Sequence, residues 1–510
     1  MESVDIWSSI LSWLSSVEQV RSSACCQVCR AASESLVSEA TVSPWGLASF
    51  VKGLQSRRFP RLVSLELEPD LDGSDPLLLR ALEFIAENCK EISRLKISPG
   101  PNYGQGLFLQ SLPCDQITHL EIHCCYTTSA TPRSQDDSSL GDDDDDRGTN
   151  FWDSFGATNC CPPVVSLCEQ DIDVDSMTRS LVTRCRHLVS FSFDGASKWA
   201  SDDCLSSSLS DATLVALSQK LKKLRVASCD DLTDSGLARL RLPDLEALDI
   251  SLCPSITKKG VETLTTRSLK EVALRGLFET IASDRVLEMV AGPQLTSLSL
   301  TTLSVLDASI LTNKSLATFA LNCPNLQHFD LFGEEHKSLT ITKDGLLCVA
   351  RHCPKLESFK VRAHCTSDDT LRECLSHLPL LKVVEADPKA WTDRSIAALS
   401  HHCPLVEELT ARNVTPGSVT DRSLRALASC PRLRSLTLCP IHCESSAART
   451  NALVNLCSRP WLAHLEVGTT TTFDLFFCAA SNIDYYELPA DARARHHLRQ
   501  NLHSKTRKAN

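Results

Sequence analysis

The chain has 510 residues, 42 % hydrophobic, 23 % charged and only 5 % aromatic, with 25 cysteines and a formal net charge of −11. No apolar run reaches the ~18 residues of a membrane-spanning helix, so no membrane role is expected. The acidic balance argues against nucleic acid as the partner. At ~100–200 residues per compact domain the length implies three or four domains, unless the chain is a repeat array. The apolar run near the N-terminus lies between Asp5 and Glu18 and has no basic lead-in. No secretory signal is therefore expected, and the cysteines are expected to be reduced thiols of a cytoplasmic and/or nuclear protein.

Residues 1–43 come first and have their own pattern. Ile6, Trp7, Ile10, Leu11, Trp13 and Leu14 share one helical face, and after a polar break Val20, Ala24, Val28 and Cys29 mark a second helix. Two or three helices of this size have a poor core of their own and need a partner or a neighbouring segment. Capping the open end of the following array would also bury Trp7 and Trp13. The apolar first helix, the polar linker and the ending Val28-Cys29-Arg30 resemble an F-box. Val4-Asp5 stands where that family opens with Leu-Pro, and Ala31-Ala32 stands where it carries an aromatic residue. The resemblance implies an all-α module docking on a Skp-family adaptor through Ile6, Trp7, Ile10, Leu11, Trp13, Leu14, Val28 and Cys29.

From residue 44 to 489 a short pattern recurs: apolar, two residues, apolar, one residue, apolar. It begins at Leu62, Ile92, Ile117, Leu188, Leu221, Leu245, Leu269, Leu295, Leu326, Leu356, Leu381, Val406, Leu433 and Leu462. Twelve of the thirteen steps between these starts are 24–33 residues long, a period that chance clustering would not hold. The exception is the 71-residue step from Ile117 to Leu188. A degenerate copy at Val164 and Leu167 would shorten it, leaving an insertion.

A second signal follows each strand pattern. Ser210, Thr233, Thr257, Thr342, Ser367, Thr392 and Thr420 each precede two mostly polar residues, a small residue and an apolar one. A hydroxyl at such a place can cap a helix N-terminus. Cys323-Pro324, Cys353-Pro354, Cys403-Pro404 and Cys430-Pro431 then mark helix ends, because proline cannot continue a helix. Each unit therefore reads as strand, turn and helix, an α/β solenoid in which stacking buries what one unit cannot. Cys89, Cys185, Cys323, Cys353, Cys403 and Cys430 at unit ends, and Cys125, Cys229 and Cys253 after strands, are expected to pack as small buried residues.

Units such as Leu224-Arg225-Val226-Ala227-Ser228-Cys229 and Leu248-Asp249-Ile250-Ser251-Leu252-Cys253 resemble the cysteine-containing leucine-rich repeat. An F-box-like module ahead of such an array resembles the substrate receptors of SCF-type cullin–RING ubiquitin ligases. This resemblance implies a non-enzymatic role in the ubiquitin-conjugation pathway: adaptor and cullin–RING ligase on one side, an unidentified substrate protein on the other, no cofactor. Period-two alternation places Glu66, Arg94, Lys96, His119, Glu121, His123, Lys223, Arg225, Asp249 and Arg275 on the sheet face opposite the helices. His328, Asp330, Phe332, Lys360, Arg362, Glu385, Asp387, Glu408, Arg412, His464 and Glu466 follow by the same rule. Arg94, Lys96, Arg225, Arg275, Phe332, Lys360, Arg362 and Arg412 are the candidate substrate-binding residues. Lys360, Arg362 and Arg412 are expected to form a small basic patch. The mixed signs favour a protein or phosphorylated peptide.

Residues 127–150 end in five consecutive acids, Asp142–Asp146, and are expected to be a disordered excursion from a loop. Residues 490–510 are expected to be a basic tail. Phosphate-loop, zinc-protease and EF-hand patterns are missing from the sequence. Neither Cys26 and Cys29 nor Cys439, His442 and Cys443 has the further ligands a metal site requires. The rival reading is a stand-alone leucine-rich scaffold or enzyme regulator whose N-terminal helices only cap the array.

Overall fold

The computed structural model describes residues 39–43, 47–48, 51, 62–68, 71, 74–99, 110–124, 173–195, 208–217, 219–264, 268–277, 284–302, 311–333, 341–362, 366–439, 456, 462–468, 473–479 and 482–486. The F-box-like segment through Cys29, the degenerate copy at Val164, Cys125, the acidic insertion, His442, Cys443 and the basic tail lie outside the described residues. The chain divides into two compact units, Met1–Leu245 and Glu246–Asn510.

In the first unit β1 (Glu39–Val42), β2 (Ser64–Leu67), β3 (Arg94–Ile97), β4 (His119–His123), β5 (Ser190–Asp194) and β6 (Lys223–Ala227) pair in parallel, each with the next in sequence. The helices are α1 (Pro76–Asn88), α2 (Val174–Arg184), α3 (Asp211–Val215) and α4 (Asp234–Arg239). β1 pairs in register with β2, so the sheet begins inside the span 1–43 expected for the helical module. Its Val42 is buried and covers the edge that the first repeat strand would otherwise leave open.

The second unit continues with β7 (Ala247–Ser251), α5 (Lys258–Glu262), β8 (Glu271–Leu277), α6 (Asp284–Val290), β9 (Ser297–Thr302), α7 (Asn313–Asn322) and β10 (His328–Gly333). Next come α8 (Lys343–His352), β11 (Ser358–Arg362), α9 (Asp368–Leu375), β12 (Val383–Ala386), α10 (Asp393–His402), β13 (Glu408–Ala411), α11 (Asp421–Leu427), β14 (Ser435–Leu438) and β15 (His464–Gly468). β7 through β15 are parallel neighbours in chain order. β16 (Phe473–Ala479) and β17 (Asn482–Tyr486) then pair antiparallel, where the repeat pattern alone predicted no change of direction. None of the described helices is long and apolar enough to cross a membrane.

Alternation along each strand builds the core. Leu65 and Leu67, Leu95 and Ile97, Leu120 and Ile122, and Leu248 and Ile250 are all buried. Burying one such side chain is worth about 1.5–3 kcal/mol. The ladder is aliphatic with aromatic rungs: Phe191, Phe193, Phe329 and Phe359 occupy the same positions, and the last two stack at 6.1 Å. At or just beyond the ends of several strands the chain turns through left-handed backbone, at Ser228 (φ 55), Leu252 (φ 54), Gly276 (φ 61) and Asn413 (φ 55). The turn sends the next residue (Cys229, Cys253, Leu277 or Val414) back into the core.

All seven expected caps stand at helix N-termini, and Thr312 follows the same pattern. The first residue of the helix does a second job. Asp211 accepts from the backbone amide and hydroxyl of Thr233 at 2.9 and 2.6 Å, and Asp284 accepts from those of Thr312 at 2.8 and 2.9 Å. Asn313 reaches Thr342 in the same way, accepting from its amide and donating to its hydroxyl, both at 2.8 Å. Each unit thus satisfies an orphan donor of the next. The recurrent small residue three positions after the cap is explained by the same contact. At Ser423 a hydroxyl donates to the carboxylate of Asp393, whereas at Gly236 a Cβ would sit 2.3 Å from Asp211 Oδ1.

The cysteines at unit ends are buried, as are Cys229 and Cys253. Cys323, Cys353 and Cys403 cap helix C-termini, and the Cys353 and Cys403 thiols approach carbonyls of the preceding unit, at 3.5 Å from Cys323 O and Leu378 O respectively.

Candidate interaction surface

The residues between the inward-pointing strand positions form rows across each sheet, because parallel register places equivalent side chains side by side about 4.8 Å apart. In the second unit these rows are largely self-neutralised. Arg275 Nε donates to Ser299 Oγ at 2.9 Å, and that hydroxyl donates to Asp330 Oδ2 at 3.0 Å. Arg362 pairs with Glu385 on the next strand. Arg412 reaches Glu466 Oε2 at 3.1 Å, which also accepts from Thr437 at 3.3 Å. Burial pushes the Arg362 guanidinium below its ordinary range, opposed by Asp330 and reinforced by Arg412.

The expected basic patch of Lys360, Arg362 and Arg412 is therefore interleaved with acids. Glu385 stands in register beside Lys360, while Glu466 lies two strands beyond Arg412. Lys360 makes no ion pair among the described residues. Phe332 is placed in register with Arg362 and Thr301, and its side chain lies outside the described residues.

The first unit is arranged differently. In one row Thr41 and Lys96 both bond Glu66, at 3.2 and 2.6 Å. Arg225 lies 4.0 Å from Asp194, and His123 Nε2 lies 3.6 Å from Glu121. The adjoining row reads Arg94, His119, Ser190 and Lys223 on four neighbouring strands, in register throughout. Arg94 and Lys223 are exposed and His119 and Ser190 half-buried. Among the described residues neither Arg94 nor Lys223 has a carboxylate partner. His119 Nδ1 lies 2.8 Å from the Thr118 hydroxyl. Burial, then Arg94 and Lys223, hold its imidazole below the ordinary histidine value against the pull of Glu121.

Arg94, Lys96 and Arg225 thus take the face expected of them, and the structure adds His119, Ser190 and Lys223 to Arg94. The sequence places His119 and Lys223 on that face singly. The 71-residue step between their repeats hides that β4 and β5 are neighbours.

At the strand entries Lys270 pairs with Glu246, Lys382 with Glu357 and Arg434 with Glu407, tying successive units together. On the helical side Lys343 and Arg351 both bond Glu373, at 2.7 and 2.9 Å. The depression beside them, about 440 Å³, is lined by Asp369, Arg372, Ser376, Ala398 and His402. Open and walled by solvated ion pairs, it lacks the enclosed apolar character of a small-molecule site. No group of three or more His, Cys, Asp or Glu side chains among the described residues could share a metal ion.

One comparison, with a family of known repeats, agrees with this architecture. The family described as Leucine Rich repeat matches residues 217–240 and 241–264. No curated protein matches the sequence. The crystal structure of the Rad7 and Elc1 complex in yeast is similar at a TM-score of 0.38 and 14 % identity, over 75 % of this chain and 72 % of that one. A likeness that distant bears on neither activity nor partners. The fold is that of a leucine-rich-repeat solenoid, its parallel sheet carrying rows of polar side chains on the face opposite the helices.

Proposed function

We propose that the chain is a protein receptor that holds a partner on the open sheet face and, through its F-box-like segment, brings that partner to an SCF-type ubiquitin ligase. The observation that carries the receptor reading is the open face itself. Register sets polar side chains of both signs in continuous rows across parallel strands, a broad surface of the kind that recognises another protein. The ligase reading rests on the resemblance of residues 4–36 to an F-box. In this scheme the chain performs no bond chemistry. It contributes proximity and orientation, and a separate RING–E2 pair transfers ubiquitin.

The test is to mix the purified full chain with a Skp-family adaptor and look for a stable complex by size-exclusion chromatography. The complex should form, and Ile10→Asp with Leu11→Asp should abolish it, because a buried unpaired charge is costly. A folded chain that forms no complex would sink the ligase reading. That outcome would favour a scaffold whose N-terminal helices cap the array, a reading to which the early strand β1 lends support.

A further inference from the structure

We infer that Arg94, His119, Ser190 and Lys223 form a binding site for a phosphorylated serine or threonine in the partner protein. The inference rests on the reading of the open face as a partner surface and names the chemistry of what it takes. The four residues stand in register on β3, β4, β5 and β6. Their backbones span about 14 Å, so the long Arg94 and Lys223 side chains can reach inward over His119 and Ser190 from either end.

Charge pairing distinguishes this row from its neighbours. Lys96 is taken by Glu66, Arg225 approaches Asp194, and in the second unit Arg362 and Arg412 each have a glutamate. Arg94 and Lys223 have no such partner among the described residues, and no acid stands between them in the row. Two unneutralised cations and a hydroxyl supply more donors than one carboxylate can use. A phosphate dianion, with three strong acceptor oxygens, matches them.

The occupant is a single phosphorylated side chain on a protein, not a polyanion. The adjoining row runs Glu66, Lys96, Glu121, Ser192 and Arg225, and Asp194 stands one row further on, so carboxylates near the site would repel successive nucleic-acid phosphates and can pair with a basic residue near the phosphoresidue. The whole-chain charge of −11 acts in the same direction.

The full-length protein can be immobilised and offered a degenerate phosphoserine and phosphothreonine peptide pool, the same pool after phosphatase treatment, and a single-stranded oligonucleotide. Phosphopeptides should be retained at least tenfold over their dephosphorylated forms, with enrichment for a basic residue near the phosphate. Millimolar inorganic phosphate should displace them. Arg94→Gln with Lys223→Gln, both exposed positions, should remove the selectivity, and Arg412→Gln should not. Equal retention of dephosphorylated peptides, preferential retention of the oligonucleotide, no retention, or an unchanged double variant would each overturn the inference. The adaptor complex of the same preparation is measured in parallel. An intact complex without phosphopeptide selectivity defeats this inference alone, and selectivity without a complex defeats only the ligase reading.

Discussion

Asp393 accepts hydrogen bonds from the backbone amide of Thr420 at 2.9 Å and from its hydroxyl at 2.7 Å, across 27 residues of sequence. Ser423 adds a third at 2.5 Å. One side chain thus holds the start of the next helix while Thr420 caps that helix itself through the amide of Arg422. Asp393→Ala should cost about 1–2 kcal/mol, the low end for bonds to a charged group because the carboxylate is half-exposed. Urea unfolding of the variant and the parent checks this.

The same carboxylates set an acid limit. Burial alone would raise Asp393 and Asp284, but the bonds from Ser423 and Thr420, and from Ser315 and Thr312, together outweigh it and hold both below the ordinary carboxylate value. Their contribution is present above that value, near pH 3.8, and is lost as pH falls through the lower folded-state values. Unfolding midpoints measured from pH 5 down to pH 2 should fall less steeply in Asp393→Asn than in the parent.

Gly236 is required by space, not by backbone freedom. An added Cβ would lie 2.3 Å from Asp211 Oδ1 and 2.7 Å from its Cγ, and Asp211 cannot retreat without breaking its bonds to Thr233. The better helix propensity of alanine returns only about 1 kcal/mol, whereas overpacking costs about 1–3 kcal/mol. Gly236→Ala should therefore lower the melting temperature, and combining it with Asp211→Ala should cost less than the sum of the two. Full additivity would show that the two residues do not compete for the same space.

His119 predicts a pH dependence of opposite origin. Its folded-state value is lowered, so the unfolded chain takes up a proton more readily. Its effect on stability should turn unfavourable as pH falls from the ordinary histidine value of about 6.5 through the lower folded one. The groups facing it are Arg94 on β3, Glu121 on its own strand, Ser190 on β5 and Lys223 on β6. His119→Gln should flatten the change in urea midpoint between pH 7.5 and 5.5. A variant that keeps the parent's slope would show that other groups set it.

Thiol reactivity separates buried cysteines from a half-exposed one. Burial pushes the Cys323 and Cys430 thiols up to about 11 and those of Cys353 and Cys403 to about 12, so thiolate is scarce there near neutral pH. Cys348 is half-buried. Iodoacetamide at pH 7.5, followed by peptide mass spectrometry, should modify Cys348 well before these four. Early labelling of Cys353 or Cys403 would mean that the helix ends open in the native state.

Much of this protein is legible in its sequence because its order is local and repeated. The spacing of Leu245, Leu248 and Ile250 reports a strand with one face buried, Thr392 and Thr420 report helix starts, and Cys353-Pro354 reports a helix end. Each signal depends on contacts that recur at a fixed period, so one chain displays them many times. The second job of Asp211, Asp284 and Asp393 is not legible there, since its partner lies a whole unit away. Nor is the pairing of charges across strands, which decides which cations are spent. Arg362 and Arg412 read as a patch until Glu385 and Glu466 are set beside them, and Arg94 and Lys223 read as separate residues until β4 and β5 are neighbours. Sequence alone determined the repeat, its period and its buried face, because those follow from hydrophobic spacing. Only the tertiary structure decided which open-face charges neutralise one another, because that depends on the register between strands that a 71-residue step can separate.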